Sequence, residues 1–296
     1  MFSTRAVTVI IAALLSWPVL ATDTIGDALR RMRKLDTDVA EPAQKAPQLE
    51  QWLTDVATSP ALHRLDGLTD DQVRDYYDAA RLAAFYGNRP ATVIQTRRAW
   101  NELDRRRIAS AGSADDMLQL YEAARLFDDA RQFHEAHKDQ VSRPPPALVD
   151  LDRTAAQPTV LSVAGDGTTL IRQRFSRLDG TAVIIVGSPW CHFSRAAAES
   201  IENDTALGPL MAKQAAWLIP QQVVSDFGSV VQWNRKHPSA AMSLIDRQNE
   251  WPFIHTVATP TFYFFKDGKL VSSFSGWTGD EQKVTLRERL RLLEPR

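Results

Sequence analysis

The chain has 296 residues, 44% of them hydrophobic and 24% charged, a normal globular composition that excludes wholesale disorder. Its 36 acidic and 35 basic residues give a net charge of -1, so the composition supplies no overall attraction to nucleic acid or acidic lipid. The one cysteine, Cys191, excludes intramolecular disulfides, thiolate zinc fingers and cysteine-ligated iron–sulfur clusters.

Residues 1–21 are typical of a cleavable signal peptide. Arg5 supplies a positive charge, residues 6–15 are apolar, and Val19-Leu20-Ala21 is a small-residue cleavage site. The alternative is an uncleaved membrane anchor, but the apolar run is shorter than the roughly 20 residues that cross a bilayer. We therefore expect an exported protein, located in an oxidising periplasm, with no membrane span after cleavage.

Residues 22–138 are predicted to form a helical domain. The chain from about Leu49 onward is rich in helix-forming residues, whereas residues 22–41 are charged and poorly patterned. Thr69 is predicted to be the N-cap of one helix and Ser113 that of another, with Asp116 near the third helical position.

Residues 71–82 and 115–126 resemble each other at an offset of 44 residues. They share Asp71/Asp115, Tyr77/Tyr121, Ala79/Ala123, Ala80/Ala124, Arg81/Arg125 and Leu82/Leu126. An aromatic beside a pair of small residues is the pattern of helix-hairpin repeats of the tetratricopeptide kind. The alternative is an antiparallel helical bundle in which the two segments are similar by chance. It explains the pattern equally well, so both interpretations stay open.

The prolines at 144–146 stop helix formation, so residues 139–156 are predicted to be a linker. Beyond it the pattern changes to strands at 159–163, 168–175 and 181–186, the last continuously apolar and β-branched. Residues 188–194 follow, and then an alanine-rich helix, which places Cys191 at a helix N-terminus.

A helix N-terminus stabilises a thiolate, the nucleophilic form of cysteine. His192 either adds a positive neighbour or is simply exposed, and Ser194 either donates a hydrogen bond to the sulfur or caps the helix. The sequence shows no metal-ligand set, because His134 and His137 alone are too few, and no cofactor is expected.

Further strands at 215–219, 259–265 and 270–274 and helices near 227–236 and 280–293 complete an order that resembles the thioredoxin fold. The residues that carry the resemblance, over about 157–296, are Trp190-Cys191-x-x-Ser194, Ala258-Thr259-Pro260-Thr261, Phe265 to Leu270, and Gly276. The resemblance implies a cis Pro260 against the cysteine, backbone at Thr259 that pairs with an extended substrate, and a Trp190 that shapes the approach to the thiol.

The sequence departs from the usual pattern of this family at two positions. Ser194 stands where a second cysteine is usual, and Ile185 stands where many members keep a buried carboxylate. A site with one thiol can form a mixed disulfide but cannot resolve it internally, so net oxidation or reduction of proteins is disfavoured.

These observations predict a two-domain α+β protein: a helical N-terminal domain and a thioredoxin-like α/β domain at 157–296. The first hypothesis is exchange, isomerisation or thiol protection at Cys191, assisted by Ser194 and with Trp190, His192, Thr259 and Pro260 as substrate-binding residues. Its partners would be proteins or small molecules that carry thiols or disulfides. The alternatives are a non-catalytic scaffold whose helical domain binds a protein partner, and peroxide reduction through a sulfenic acid at Cys191.

Overall fold

The fold was analysed in a computed structural model that describes residues 25–39, 42–58, 62, 64–151, 158–178, 180–221, 226–254 and 258–294. The predicted signal peptide and Asp179, in the middle of a predicted turn, lie outside the described residues. The architecture mixes helices with one eight-stranded sheet. A search of the described helices found none with both the length and the apolar character that crossing a bilayer requires.

Six helices make up residues 25–136, which we call the helical half: α1 (Ile25–Asp38), α2 (Pro42–Ala57), α3 (Asp70–Gly87), α4 (Pro90–Arg106), α5 (Ser113–Ala123) and α6 (Phe127–Ala136). Helix α1 lies in the segment for which no clear pattern was expected. Its buried residues are Ile25, Ala28, Leu29 and Met32, which have the spacing of a single helix face. The apolar residues of this charged segment therefore do have helical periodicity.

The two predicted helix caps have different outcomes. Thr69 is the N-cap of α3, as predicted, and its side chain and that of Gln72 form a capping box. The prediction for Ser113 is wrong, because Gly112 occupies the N-cap position and Ser113 is already helical. The Ser113 hydroxyl is buried and accepts a hydrogen bond at 3.1 Å from the indole N–H of Trp100.

The two similar segments, residues 71–82 and 115–126, differ in structure. In the first copy Ala79, Ala80 and Arg81 all lie inside α3. In the second copy α5 ends at Ala123, and Arg125 has a left-handed backbone with φ of 61°. The second copy is therefore the corner between α5 and α6 rather than the middle of a helix.

The sheet contains β1 (Ala147–Asp150), β2 (Thr159–Val163), β3 (Thr169–Arg174), β4 (Thr181–Val186), β5 (Ala215–Ile219), β6 (Met242–Ile245), β7 (Thr261–Lys266) and β8 (Lys269–Ser275), in the order β1-β3-β2-β6-β5-β4-β7-β8. We call residues 147–294 the sheet half. Its helices are α7 (His192–Glu202), α8 (Leu207–Gln214), α9 (Phe227–Lys236) and α10 (Asp280–Arg291).

Strand β1 lies within residues 139–156, which were predicted to be a linker. The prolines do end the helical part, but Ala147–Asp150 then pairs in parallel with β3 at the edge of the sheet. Leu148 packs on the core of the sheet half while Val149 is exposed, the alternation of an edge strand.

Strand β4 is central, and every residue after Thr181 is buried because both faces of the strand are covered. It pairs in parallel with β5 and antiparallel with β7, and β5 pairs in parallel with β6. Trp217, Trp233, Trp251 and Trp277 are buried packing residues of the sheet half. Because β4, β5 and β6 are parallel, their carboxyl ends meet at one edge of the sheet.

Candidate active site

The strand-to-helix junction after β4 positions the thiol. Cys191 is the N-cap of α7, with extended backbone dihedrals, and its carbonyl accepts from the backbone N–H of Arg195. The Cys191 N–H donates to the carbonyl of Ser188 at 3.1 Å, which closes a turn between strand and helix. The sulfur therefore lies beside the unpaired N–H groups of the first turn of α7.

The segment that leads into β7 lies against the sulfur. The Sγ atom of Cys191 donates to the backbone carbonyl of Thr259 at 3.2 Å. The Thr259–Pro260 peptide bond is cis, Pro260 is buried and Thr259 is half-buried. Two segments that are 68 residues apart in sequence thus meet at the thiol.

The pKa of the Cys191 thiol is lowered from its ordinary value. Burial acts to raise this pKa, but hydrogen bonds to the ionised sulfur outweigh it. They come from the Thr259 side chain, from the backbone N–H groups of Ser194 and Phe193, and from the Ser194 hydroxyl. These hydrogen bonds stabilise the thiolate, the form that attacks disulfides, relative to a cysteine without such partners.

Ser194 is fully buried, one turn into α7. Its hydroxyl accepts the backbone N–H of Ser188 at 3.2 Å and contributes a hydrogen bond to the sulfur. The same side chain therefore holds the loop before Cys191 and stabilises the ionised thiol. The N-cap position belongs to Cys191, and the role of Ser194 in the chemistry stays a prediction.

Aromatic side chains flank the thiol on the exposed side. Trp190 is 44% exposed, and Phe193, which sequence reasoning missed, is 41% exposed. His192 is exposed and lies against Phe193, with ring centroids 3.8 Å apart. The signal for Phe193 was available, because Ser194, Ala197, Ala198 and Ile201 form the buried stripe of α7 and leave position 193 outside it.

Position 185 has no titratable group, and Ile185 is fully buried beneath the site. Among the described residues of the sheet half, the buried carboxylate is instead Asp246, directly after β6 and also missed from sequence. Asp246 is paired with Arg172, whose Nε lies 2.8 Å from Asp246 Oδ2. The Asp246 carboxylate is thus held in an ion pair with Arg172, at the end of β6 and not of β4.

A central strand runs into a cysteine-bearing helix, parallel crossovers follow, and a cis-proline segment beside the thiol leads into an antiparallel hairpin and a last helix. The C-terminal half is thioredoxin-like in fold. The thioredoxin-like order of elements expected from sequence is thus confirmed, while the role of each site residue stays a prediction.

Comparison with known proteins finds no matching family model and no matching curated protein. Similar solved structures include a secreted disulfide oxidoreductase of Mycobacterium tuberculosis homologous to E. coli DsbE, with 19% identity and a TM-score of 0.34, covering 46% of this chain and 96% of that one. StoA of Bacillus subtilis has 13% identity and a TM-score of 0.31, with 46% and 99% covered. A thioredoxin-like protein of Bacteroides caccae has 15% identity and a TM-score of 0.29, with 87% and 96% covered.

Proposed function

We propose that this chain is an exported, thioredoxin-like monothiol protein that acts through Cys191 in thiol–disulfide exchange, isomerisation or thiol protection. The observation that carries the proposal is the position of Cys191 at the N-cap of α7, with its Sγ 3.2 Å from the carbonyl of Thr259, next to the cis Pro260. The lowered pKa of the thiol agrees with this position. A cysteine that serves only as a packing residue would be inert, with a pKa near or above about 8.5.

The reaction begins with attack of the Cys191 thiolate on one sulfur of a client disulfide. A new S–S bond joins Cys191 to the client, and the second client sulfur leaves as a thiolate. Release needs another thiolate, from the same client or from a small thiol, which attacks the client sulfur and returns Cys191 as the leaving thiolate. Electrons balance without a net oxidant, so the cycle suits isomerisation and exchange with a small thiol.

The remaining site residues are assigned by their positions. Ser194 stabilises the thiolate, Thr259 and Pro260 offer the backbone beside which a client chain lies, and Trp190 and His192 flank the approach. We further infer that residues 22–138 form a helical domain, that residues 157–296 form the thioredoxin-like domain, and that residues 1–21 direct the chain to the periplasm.

The rate of alkylation of Cys191 as a function of pH tests the proposal. We expect the thiol to titrate clearly below about 8.5. The Ser194→Ala variant loses a hydrogen bond to the thiolate, so its Cys191 should titrate at higher pH than the native thiol. Ser273→Ala is the matched control, because Ser273 is exposed on β8, and it should leave the titration unchanged. A native thiol that titrates at or above the ordinary value would refute the proposal.

Trapping identifies the clients. Periplasm from cells that express the native chain should contain disulfide-linked complexes that a reducing agent dissolves, and the Cys191→Ser variant should yield none. If native and Cys191→Ser chains bind the same partners without a disulfide, the scaffold alternative is correct instead.

A further inference from the structure

The corner between α5 and α6, in the helical half, is hydrogen-bonded to the edge of the sheet where the parallel strands β4, β5 and β6 end. Arg125 donates from Nη2 to the carbonyl of Ile245 at 2.7 Å and from Nε to the carbonyl of Asp246 at 3.1 Å. Phe127, the first residue of α6, is buried in the same cluster as the core of the sheet half. A charged group and an aromatic ring thus fix this corner at the end of β6.

The Arg125 guanidinium also donates to the carbonyl of Glu122 at 3.1 Å, so all three of its nitrogens have carbonyl partners. Its backbone is left-handed, an unfavourable conformation for a residue with a Cβ. A planar guanidinium group whose three nitrogens are all hydrogen-bonded holds its carbonyl partners in a fixed geometry.

Gln221 forms a second anchor at the end of β5. Its amide N–H group donates to the carbonyls of Ala123 at 2.9 Å and Asn88 at 3.4 Å, and its Oε1 accepts the backbone N–H of Gln248 at 2.8 Å. Asn88, in the turn between α3 and α4, donates in return to the carbonyl of Gln221 at 3.3 Å. The helical half is therefore fixed at the ends of both β5 and β6.

Cys191 follows β4, which has β5 on one side and β7 on the other. Neighbouring strands are only about 5 Å apart, so what is fixed at the end of β5 stands close to the loop that carries the thiol. On the opposite side the sulfur meets the backbone of Thr259, which leads into β7. The helical half is thus anchored on the β5 side of the strand that precedes the thiol, and the backbone of Thr259 lies against the sulfur on the β7 side.

We propose that the helical half is a fixed wall on the β5 side of Cys191, and that it restricts exchange to disulfides on extended or flexible segments that enter from the β7 side. This inference rests on the proposed function and adds a substrate class to it. Arg125 and Gln221 are positioning residues in this arrangement, because they set where the wall stands and do not touch the sulfur.

The experiment compares three substrates that carry the same mixed disulfide with 2-mercaptoethanol: the free small disulfide, an unfolded peptide, and a folded protein with one surface cysteine. The native chain should react at similar rates with the first two and more slowly with the third. In the double variant Arg125→Gly with Gln221→Ala, we expect the folded-protein rate to rise about three- to tenfold relative to the small-disulfide rate.

Glycine at position 125 keeps the left-handed backbone, so the variant removes the side chain without adding strain. The matched control is Arg107→Gly with Gln140→Ala. Arg107 is also left-handed with φ of 60° but exposed, and the side chain of Gln140 donates to Asp104 of the helical half at 3.1 Å. The control should leave the ratio of rates unchanged. Amide exchange in α5 and α6 should become faster in the anchor variant and not in the control.

The outcomes separate the two proposals. If the native chain reacts with none of the three disulfides, the proposed function fails. If it reacts and the anchor variant leaves the ratio of rates or the amide exchange unchanged, the wall is refuted and the proposed function stands. If the double variant does not fold, Gln221→Ala alone is judged by the same two criteria.

Discussion

The thiol of Cys191 links the charge state of the site to the stability of the fold. Its pKa in the folded chain is lowered, because hydrogen bonds from Thr259, Ser194 and Phe193 outweigh the effect of burial. The unfolded chain offers none of these partners, so its thiol titrates near the ordinary value of about 8.5. Between the two pKa values the unfolded chain binds a proton that the folded chain does not.

We therefore predict that the free energy of unfolding of the native chain rises, relative to Cys191→Ala, as the pH increases through this window. The contribution is absent below the folded-state pKa and complete above about pH 8.5, since it belongs to a group whose pKa is lowered on folding. Urea unfolding without oxygen, at several pH values from about 5 to 9.5, measures the difference. A difference that stays flat, or falls with increasing pH, would contradict the hydrogen-bonded thiolate.

At the scale of single elements, α5 shows why the sequence predicted a cap that does not exist. A serine ahead of two acidic residues has the composition of a helix start, and Ser113 does lie at one. The indole N–H of the fully buried Trp100 needs an acceptor, and Ser113 supplies it from inside the helix. Tertiary hydrogen bonding therefore decides the role of this hydroxyl.

A double-mutant cycle tests this role. Ser113→Ala should lower the free energy of unfolding by about 1–3 kcal/mol, because it leaves the Trp100 N–H buried without its partner. In a Trp100→Phe background the same substitution should have a smaller effect, since no donor remains to be satisfied. Equal effects in both backgrounds would show that Ser113 acts as a local cap. Circular dichroism during urea unfolding gives both values.

The strands of the site were predictable from sequence, and the contacts between the halves were not. Strands β2, β4 and β5 have the predicted bounds, because most of their residues are β-branched or apolar. The placement of Cys191 followed from that local order. Arg125 and Asp246 meet across 121 residues of sequence, and no local pattern marks either as a partner of the other. Long-range polar contacts of this kind depend on how the elements pack.

At the scale of the whole molecule, Phe127 belongs to α6 in sequence and to the core of the sheet half in space. With Arg125 and Gln221 it makes the two halves one packed body, which should unfold in a single cooperative step.

We predict that Phe127→Ala lowers the free energy of unfolding by about 3–5 kcal/mol through loss of buried surface and the cavity left behind. Amide exchange should become faster in both halves, because the side chain joins them. Phe85→Ala is the control, since Phe85 is exposed on α3, and its effect should be small. Faster exchange in the helical half alone would show that the halves are stabilised independently.

The burial of Ser194 has a consequence for how this site relates to two-thiol sites. A single substitution, Ser194→Cys, would place a second sulfur on the same turn of α7, shielded from solvent as Ser194 is. Ile185, in the same buried core as α7, offers no carboxylate to take up the proton of that sulfur. The substitution at position 194 would therefore give this chain a pair of thiols. A second substitution, at position 185, would be needed for their efficient use. We expect the single variant to release trapped clients, but slowly.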